Sequence, residues 1–410
     1  MEYELLAPVG DFRNLRAAVE AGCDAVYFGV RGFNMRDSAK NFSLRDLDKI
    51  RKICSRLDST LLDKDRTGQA HQMGQGRVKM YLTLNVVVYD EELGRVENIL
   101  KKVKGKVDAV ICWDLSVISL CRKYKIPFHV STQASVSNVE AAKFYKKLGA
   151  ERIVLARELS LKQIAKISKI ISVECFAHGA MCVAVSGRCF MSQHLTGLSA
   201  NRGKCTQLCR RAWDIRDDFG NELRLENSRV MSAKDLCTLP FIDKMKKAGV
   251  VSFKIEGRNR GPEYVAVVTG EYRKALDKNL SREEIVLGIR NLEKVYHRGF
   301  SSGFYLGMPT ADDFSFSEHG EQEEKKEFIG KVYKFWPKAK VASVLINSGK
   351  LKVDDEVYLI SDSIGVKRAV VKSIELEGKR VRVAKKGSDV GVDFGESVGA
   401  GCEVYVIRKK

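Results

Sequence analysis

Short apolar runs rich in β-branched and aromatic residues alternate with amphipathic stretches from Glu4 to about residue 280. The runs Glu4–Val9, Ala25–Val30, Met80–Val88, Ala109–Asp114, Pro127–Gln133, Arg152–Arg157, Ser172–Ala180 and Ser252–Arg258 predict strands. Between them, apolar positions three and four apart predict helices near 11–21, 44–56, 91–103, 116–124, 137–148, 160–170, 239–248 and 262–278. A glycine follows Ala21, Leu148 and Ala248, where it supplies the left-handed turn that stops a helix. Eight strands, each followed by a helix, is the count of a closed (β/α)8 barrel. An open doubly wound sheet competes, but the first strand–helix turn reads Pro8-Val9-Gly10-Asp11, without a nucleotide-binding glycine pattern. The expected fold is therefore α/β, a TIM-like barrel over residues 1–310.

Two stretches interrupt the rhythm. Residues 58–78 are polar and glycine-bearing and read as a loop. Residues 181–237 form a long insertion after strand seven, at the C-terminal mouth where barrel enzymes place their chemistry. Beyond the barrel, 311–327 is an acidic linker. Residues 328–410 then show short alternating strands with turn signals, which predict a small C-terminal β-barrel.

Composition narrows the function. A hydrophobic share of 44% with 30% charged residues permits a large core and argues against general disorder. The N-terminus has no basic-then-apolar leader, and no apolar run approaches the ~18 residues of a membrane span, so a cytoplasmic protein without a membrane partner is expected. Lys and Arg number 71 against 52 Asp and Glu, a formal charge of +19 that favours polyanions, although much of it falls on helix exteriors. Eleven cysteines, an odd number, argue against a complete disulfide framework. Six of them (Cys175, Cys182, Cys189, Cys205, Cys209 and Cys237) crowd into 175–237, which points to metal or redox chemistry. On spacing alone an iron–sulfur cluster, zinc and buried structural thiols stay open, because only Cys205-x3-Cys209 has the spacing usual for zinc. Cys23, Cys54, Cys112, Cys121 and Cys402 read as small core residues.

Other candidates cluster near the mouth. Glu174 and His178, four apart on strand seven, are expected on one side, with His178 either a proton shuttle or a satisfied buried histidine. Lys254, Glu256 and Arg258 alternate along strand eight and face inward, where three charges must pair or meet a ligand. Arg36, Asn85, Gln133 and Glu158 end strands or lie near their ends. Arg188, Arg202, Lys204, Arg210 and Arg211 crowd the insertion, where they offset thiolate charge or grip phosphate.

The stretch Glu174–Ser192, ECFAHGAMCVAVSGRCFMS, resembles the signature of the U32 peptidase family, and segments such as HVSTQASVSN, NRGKCTQLCR and FKIEGRNRGPEYV extend the resemblance over nearly the whole chain. The resemblance implies an enzyme related to branches that hydroxylate RNA, either the tRNA wobble uridine at its 5-position or a ribosomal RNA cytidine. It implies a [4Fe–4S] cluster on Cys182, Cys189, Cys205 and Cys237, with Cys209 the alternate to Cys205. It also implies an RNA partner, tRNA ahead of rRNA, and a small-molecule oxygen donor such as prephenate. Glu174, His178, Lys254, Glu256 and Arg258 are the catalytic candidates. Arg36, Asn85, Gln133, Glu158, Arg188 and Arg202 are the substrate-binding ones. Two alternatives stand beside this reading: a collagenase-like peptidase, as the family label says, and a non-catalytic RNA-binding partner. No HExxH helix or GxSxG elbow is present.

Overall fold

The structure is a computed structural model that describes residues 3–37, 40–55, 77–211, 213–214, 216–222, 231–317 and 320–410. The loop expected at 58–78 lies outside them apart from Arg77 and Val78.

The strands of the first part are β1 (Glu4–Pro8), β2 (Ala25–Gly29), β3 (Lys79–Leu84), β4 (Ala109–Cys112), β5 (Phe128–Val130), β6 (Arg152–Val154), β7 (Ser172–Gly179), β8 (Asp235–Cys237), β9 (Ser252–Ile255) and β10 (Phe300–Ser301). Each of β1 to β6 pairs in parallel with the next strand in sequence or is joined to it by a parallel ladder, and β9 pairs in parallel with both β7 and β1. The eight parallel strands thus close into a barrel. Strand β8 is an addition within the insertion: it runs antiparallel to the end of β7, with His178 opposite Cys237, and β10 pairs with it.

Helices α1 (Phe12–Glu20), α2 (Leu47–Ser55), α3 (Leu93–Val103), α4 (Leu115–Tyr124), α5 (Val139–Lys147), α6 (Leu161–Ile167), α7 (Met191–Thr196), α8 (Ile242–Lys247), α9 (Pro262–Asp277) and α10 (Arg282–Glu293) complete this part, with α7 inside the insertion. Local chemistry sets their starts. The Asp11 carboxylate accepts the Asn14 amide at 2.9 Å, and Asn138 caps α5 in the same way. The outward side chains of the strands and the inward faces of the helices form one continuous apolar core. The barrel interior is different. Leu6, Ala25, Tyr27, Tyr81, Ala109 and Ile111 fill its middle, while charged residues occupy both ends.

The C-terminal part is not a closed barrel, which corrects the expectation. Its strands are β11 (Glu324–Trp336), β12 (Val341–Ile346), β13 (Lys350–Lys352), β14 (Glu356–Ser361), β15 (Gly365–Val370), β16 (Ser373–Leu376), β17 (Lys379–Val381), β18 (Val383–Lys385), β19 (Asp389–Asp393) and β20 (Glu403–Lys409). Eight form an open sheet in the order β15-β14-β20-β11-β12-β19-β16-β17, and β13 pairs separately with β18. The ends do not meet, for a physical reason. β17 is three residues long, and β15 is covered by a barrel helix instead of a strand: a side chain at Gly365 would lie 2.7 Å from the Ala17 amide of α1. Arg13 of α1 fixes this contact by bonding Glu403 at 2.7 Å and Asp362 at 3.2 Å. The segment placed in the linker contributes Glu324–Glu327 to β11. No described helix is long and apolar enough to cross a membrane.

Candidate active site

Charged residues inside the barrel sit in tiers. At the N-terminal end, Glu4 is bonded by Arg152, by Lys79 at 3.1 Å and by the Tyr81 hydroxyl at 2.8 Å. One step up, Glu174 is fully buried and accepts Lys254 Nζ at 2.7 Å, with Arg152 at 3.5 Å. Burial drives the Lys254 pKa down, and Glu174 opposes that drift. Despite its own burial, Glu4 is held down to about 2 by Arg152 and Lys79. Packed this way, the lower tiers are a saturated ion network that stiffens the barrel.

The top tier opens into a cavity of about 140 Å³ at the C-terminal mouth. Lys254, Glu256 and Arg258 all line it, and so do Arg36, Asn85, Gln133, Arg157 and Arg210. Arg36 grips Glu256 through Nη2 at 2.9 Å and Nε at 3.2 Å. Burial would raise the Glu256 pKa, but Arg36 and Arg157 outweigh it and keep the carboxyl below the ordinary range. Arg258 Nη2 bonds Asn34 Oδ1 at 2.6 Å, and Asn34 is itself anchored to the Val30 carbonyl at 2.7 Å. The insertion closes over this pair. Gly203 adopts φ +85°, and any side chain there would strike the Asn34 carbonyl oxygen. Across the mouth, Asn85 Nδ2 donates to Ser131 Oγ at 3.2 Å and Gln133 Oε1 at 3.3 Å.

Several residues singled out from sequence lie elsewhere. Glu174 sits below the cavity, in the ion network. His178 does not share its side, because β7 shifts register against β9 between Phe176 and His178. That one-residue irregularity turns the His178 ring away from the interior, toward Tyr272, Tyr264 and Phe300. Buried there, with its Nδ1 3.4 Å from the Tyr272 hydroxyl, its pKa falls to about 3. Glu158 and Arg188 are exposed and off the cavity. Arg202 ties the insertion to the loop before α3, with its Nη1 2.7 Å from Glu92 Oε2. Arg157 went unnoticed in the sequence. Its signal was an arginine ending the sixth barrel strand, where side chains reach the mouth. It stacks 3.7 Å over Phe176 and donates to the Ala180 carbonyl at 2.6 Å.

The cysteines correct the metal assignment. Cys182, Cys189, Cys205 and Cys209 line the cavity, but Cys237 does not. Its thiol is buried beside β7, 3.8 Å from the Tyr272 hydroxyl. Among the described residues, no group of three or more His, Cys, Asp or Glu side chains is placed to hold a metal ion. The set Cys182, Cys189, Cys205 and Cys237 therefore does not fit a [4Fe–4S] cluster, exchanging Cys209 for Cys205 does not repair it, and zinc finds no site either. Iron–sulfur RNA hydroxylation falls with the cluster.

Comparison with known proteins adds to this correction. The sequence model of Peptidase family U32 matches residues 10–315. A protein named collagenase from Porphyromonas gingivalis is 38% identical, with all of this chain and 99% of that protein aligned. An uncharacterized protease of Methanocaldococcus jannaschii is 36% identical over 99% of this chain and 98% of its own length. A tRNA hydroxylation protein P1 of Bacillus subtilis is 33% identical over 81% of this chain and 77% of its own.

Proposed function

The chain belongs to peptidase family U32, and on that premise we propose that it is a peptidase that hydrolyses peptide amide bonds at the barrel mouth. The observation that carries this reading is the end-to-end likeness to a protein named collagenase. The mouth offers chemistry suited to the task. Glu256 stays ionised and can take a proton from water, while Arg36, bonded to it at 2.9 Å, offers N–H groups to a developing oxyanion. In the step proposed, the water oxygen adds to the peptide carbonyl carbon as its proton passes to Glu256. The same proton then goes to the amide nitrogen as the C–N bond breaks, leaving a carboxylic acid and an amine. Lys254 is engaged by Glu174, and His178 is turned away, so neither takes part in this scheme.

The test is cleavage of gelatin and of synthetic peptides by the purified full-length chain. Loss of a positioned base costs about 10²–10⁴ in rate, so Glu256→Gln should lose activity by that factor and remain folded. Equal cleavage by the two proteins would remove Glu256 from the mechanism.

A second reading, a non-catalytic RNA-binding partner, is favoured by the +19 charge. It requires tRNA affinity that falls steeply with salt, and binding that ignores salt would exclude it.

A further inference from the structure

Five cations line the mouth cavity: Arg36, Arg157, Arg210, Lys254 and Arg258. One carboxylate, Glu256, lines it with them. Glu256 takes Arg36, and Glu174 beneath takes Lys254. Three guanidiniums remain, and each presents a buried N–H group without a hydrogen-bond partner: Arg157 Nε, Arg210 Nη1 and Arg258 Nη1. Glu256 attracts Arg157 and Arg210 electrostatically, yet these N–H groups stay unsatisfied. Unpaired buried donors on charged groups are costly, and three around one cavity mark a place built for an anion.

Arg258 shows the construction most clearly. Its side chain is only 5% exposed. Asn34 holds Nη2 at 2.6 Å and so fixes the plane of the guanidinium. The opposite arm, Nη1, occupies space left by Gly29, where a side-chain carbon would lie 2.5 Å away. One arm is tied by Asn34, and the other lies against Gly29 without a hydrogen-bond partner, so the guanidinium keeps an unused donor for an anion.

We propose that Arg157, Arg210 and Arg258 form a carboxylate subsite, so that the peptides this chain takes carry a carboxylate next to the bond at Glu256. This inference rests on the peptidase reading for its substrate class. The carboxylate is either the free C-terminus of the peptide or an aspartate or glutamate side chain beside the bond.

Calorimetric titration of the full-length chain with three probes separates the sources. N-acetylalanine has only a terminal carboxylate, N-acetylaspartic acid α-amide only a side-chain carboxylate, and N-acetylalaninamide has none. At least one carboxylate probe should bind tenfold or more tighter than N-acetylalaninamide, and the tighter one identifies the source. Arg258→Gln should abolish the preference. Arg210→Gln, at a half-buried position, should weaken it and guards against a folding defect in the first variant. Equal binding of all three probes overturns the subsite, as does a preference that survives both variants in folded protein. Peptide cleavage with no carboxylate preference would leave the peptidase reading standing without this subsite. Carboxylate binding with no cleavage of any peptide would leave the subsite standing without the peptidase.

Discussion

Glu174→Gln tests the ion network beneath the cavity. Glu174 is fully buried, accepts Lys254 at 2.7 Å and lies 3.5 Å from Arg152. Removing its charge leaves Lys254 without its carboxylate partner and Arg152 with Glu4 alone, which Lys79 also shares. Breaking a buried pair from one side costs about 3–5 kcal/mol. At roughly 2 °C per kcal/mol for a chain this long, the melting temperature should fall by about 6–10 °C. The double variant Glu174→Gln with Lys254→Met removes both members, and replacing a whole pair is often close to neutral. It should therefore recover most of the loss. The assay is urea and thermal unfolding of wild type, both single variants and the double variant, analysed as a double-mutant cycle. A loss under about 1 kcal/mol in Glu174→Gln would refute the argument, since that is the size expected of an exposed pair. A double variant no more stable than the single would refute it as well.

The remaining predictions concern other sites. The His178 pKa is depressed by burial from 6.5 to about 3, so its contribution to stability is complete above about pH 6.5 and is lost as the pH falls toward 3. Unfolding titrations should show stability dropping below pH 6.5, and His178→Gln should flatten the part between pH 6.5 and 4.5. Glu4, depressed to about 2, contributes fully above about pH 4.5 and loses its share below that, so Glu4→Gln should flatten only the more acid part. Gly203→Ala meets both a left-handed backbone and the Asn34 carbonyl, and should cost about 2 kcal/mol or more in chemical unfolding. An alanine variant as stable as wild type would show that the insertion does not seat on Asn34.

Much of the barrel was legible because its strands are short apolar runs between amphipathic helices, and that rhythm follows directly from a sheet covered on its outer face by helices. The C-terminal part was legible as strands but not as topology. Alternation shows that Val341–Ile346 is half-buried, yet it says nothing about whether the first and last edges meet. Here α1 covers one edge through Arg13 and Gly365. Two short strands, β13 and β19, give only a weak signal, since Lys350–Lys352 has a single buried residue and Asp389–Asp393 carries an acid at each end. At the site, the alternation of Lys254, Glu256 and Arg258 was visible, and all three line the cavity. The Glu174–His178 relation was not, because a register shift leaves no mark in a pattern of alternating residues. Crowding of cysteines in sequence brought Cys182, Cys189, Cys205 and Cys209 to one cavity, but not the expected fourth ligand. Cys237 belongs to β8, whose pairing beside His178 directs it to Tyr272 rather than to the other thiols.

The central claim is that the mouth around Glu256 and Arg36 adds water to a peptide bond. Incubating a defined peptide with wild-type protein and with Glu256→Gln in heavy-oxygen water, followed by mass spectrometry, tests this directly. The account predicts one heavy oxygen atom in the newly formed carboxyl group with the wild type and little or no product with the variant. Intact peptide in the wild-type reaction, with the protein folded, would contradict it.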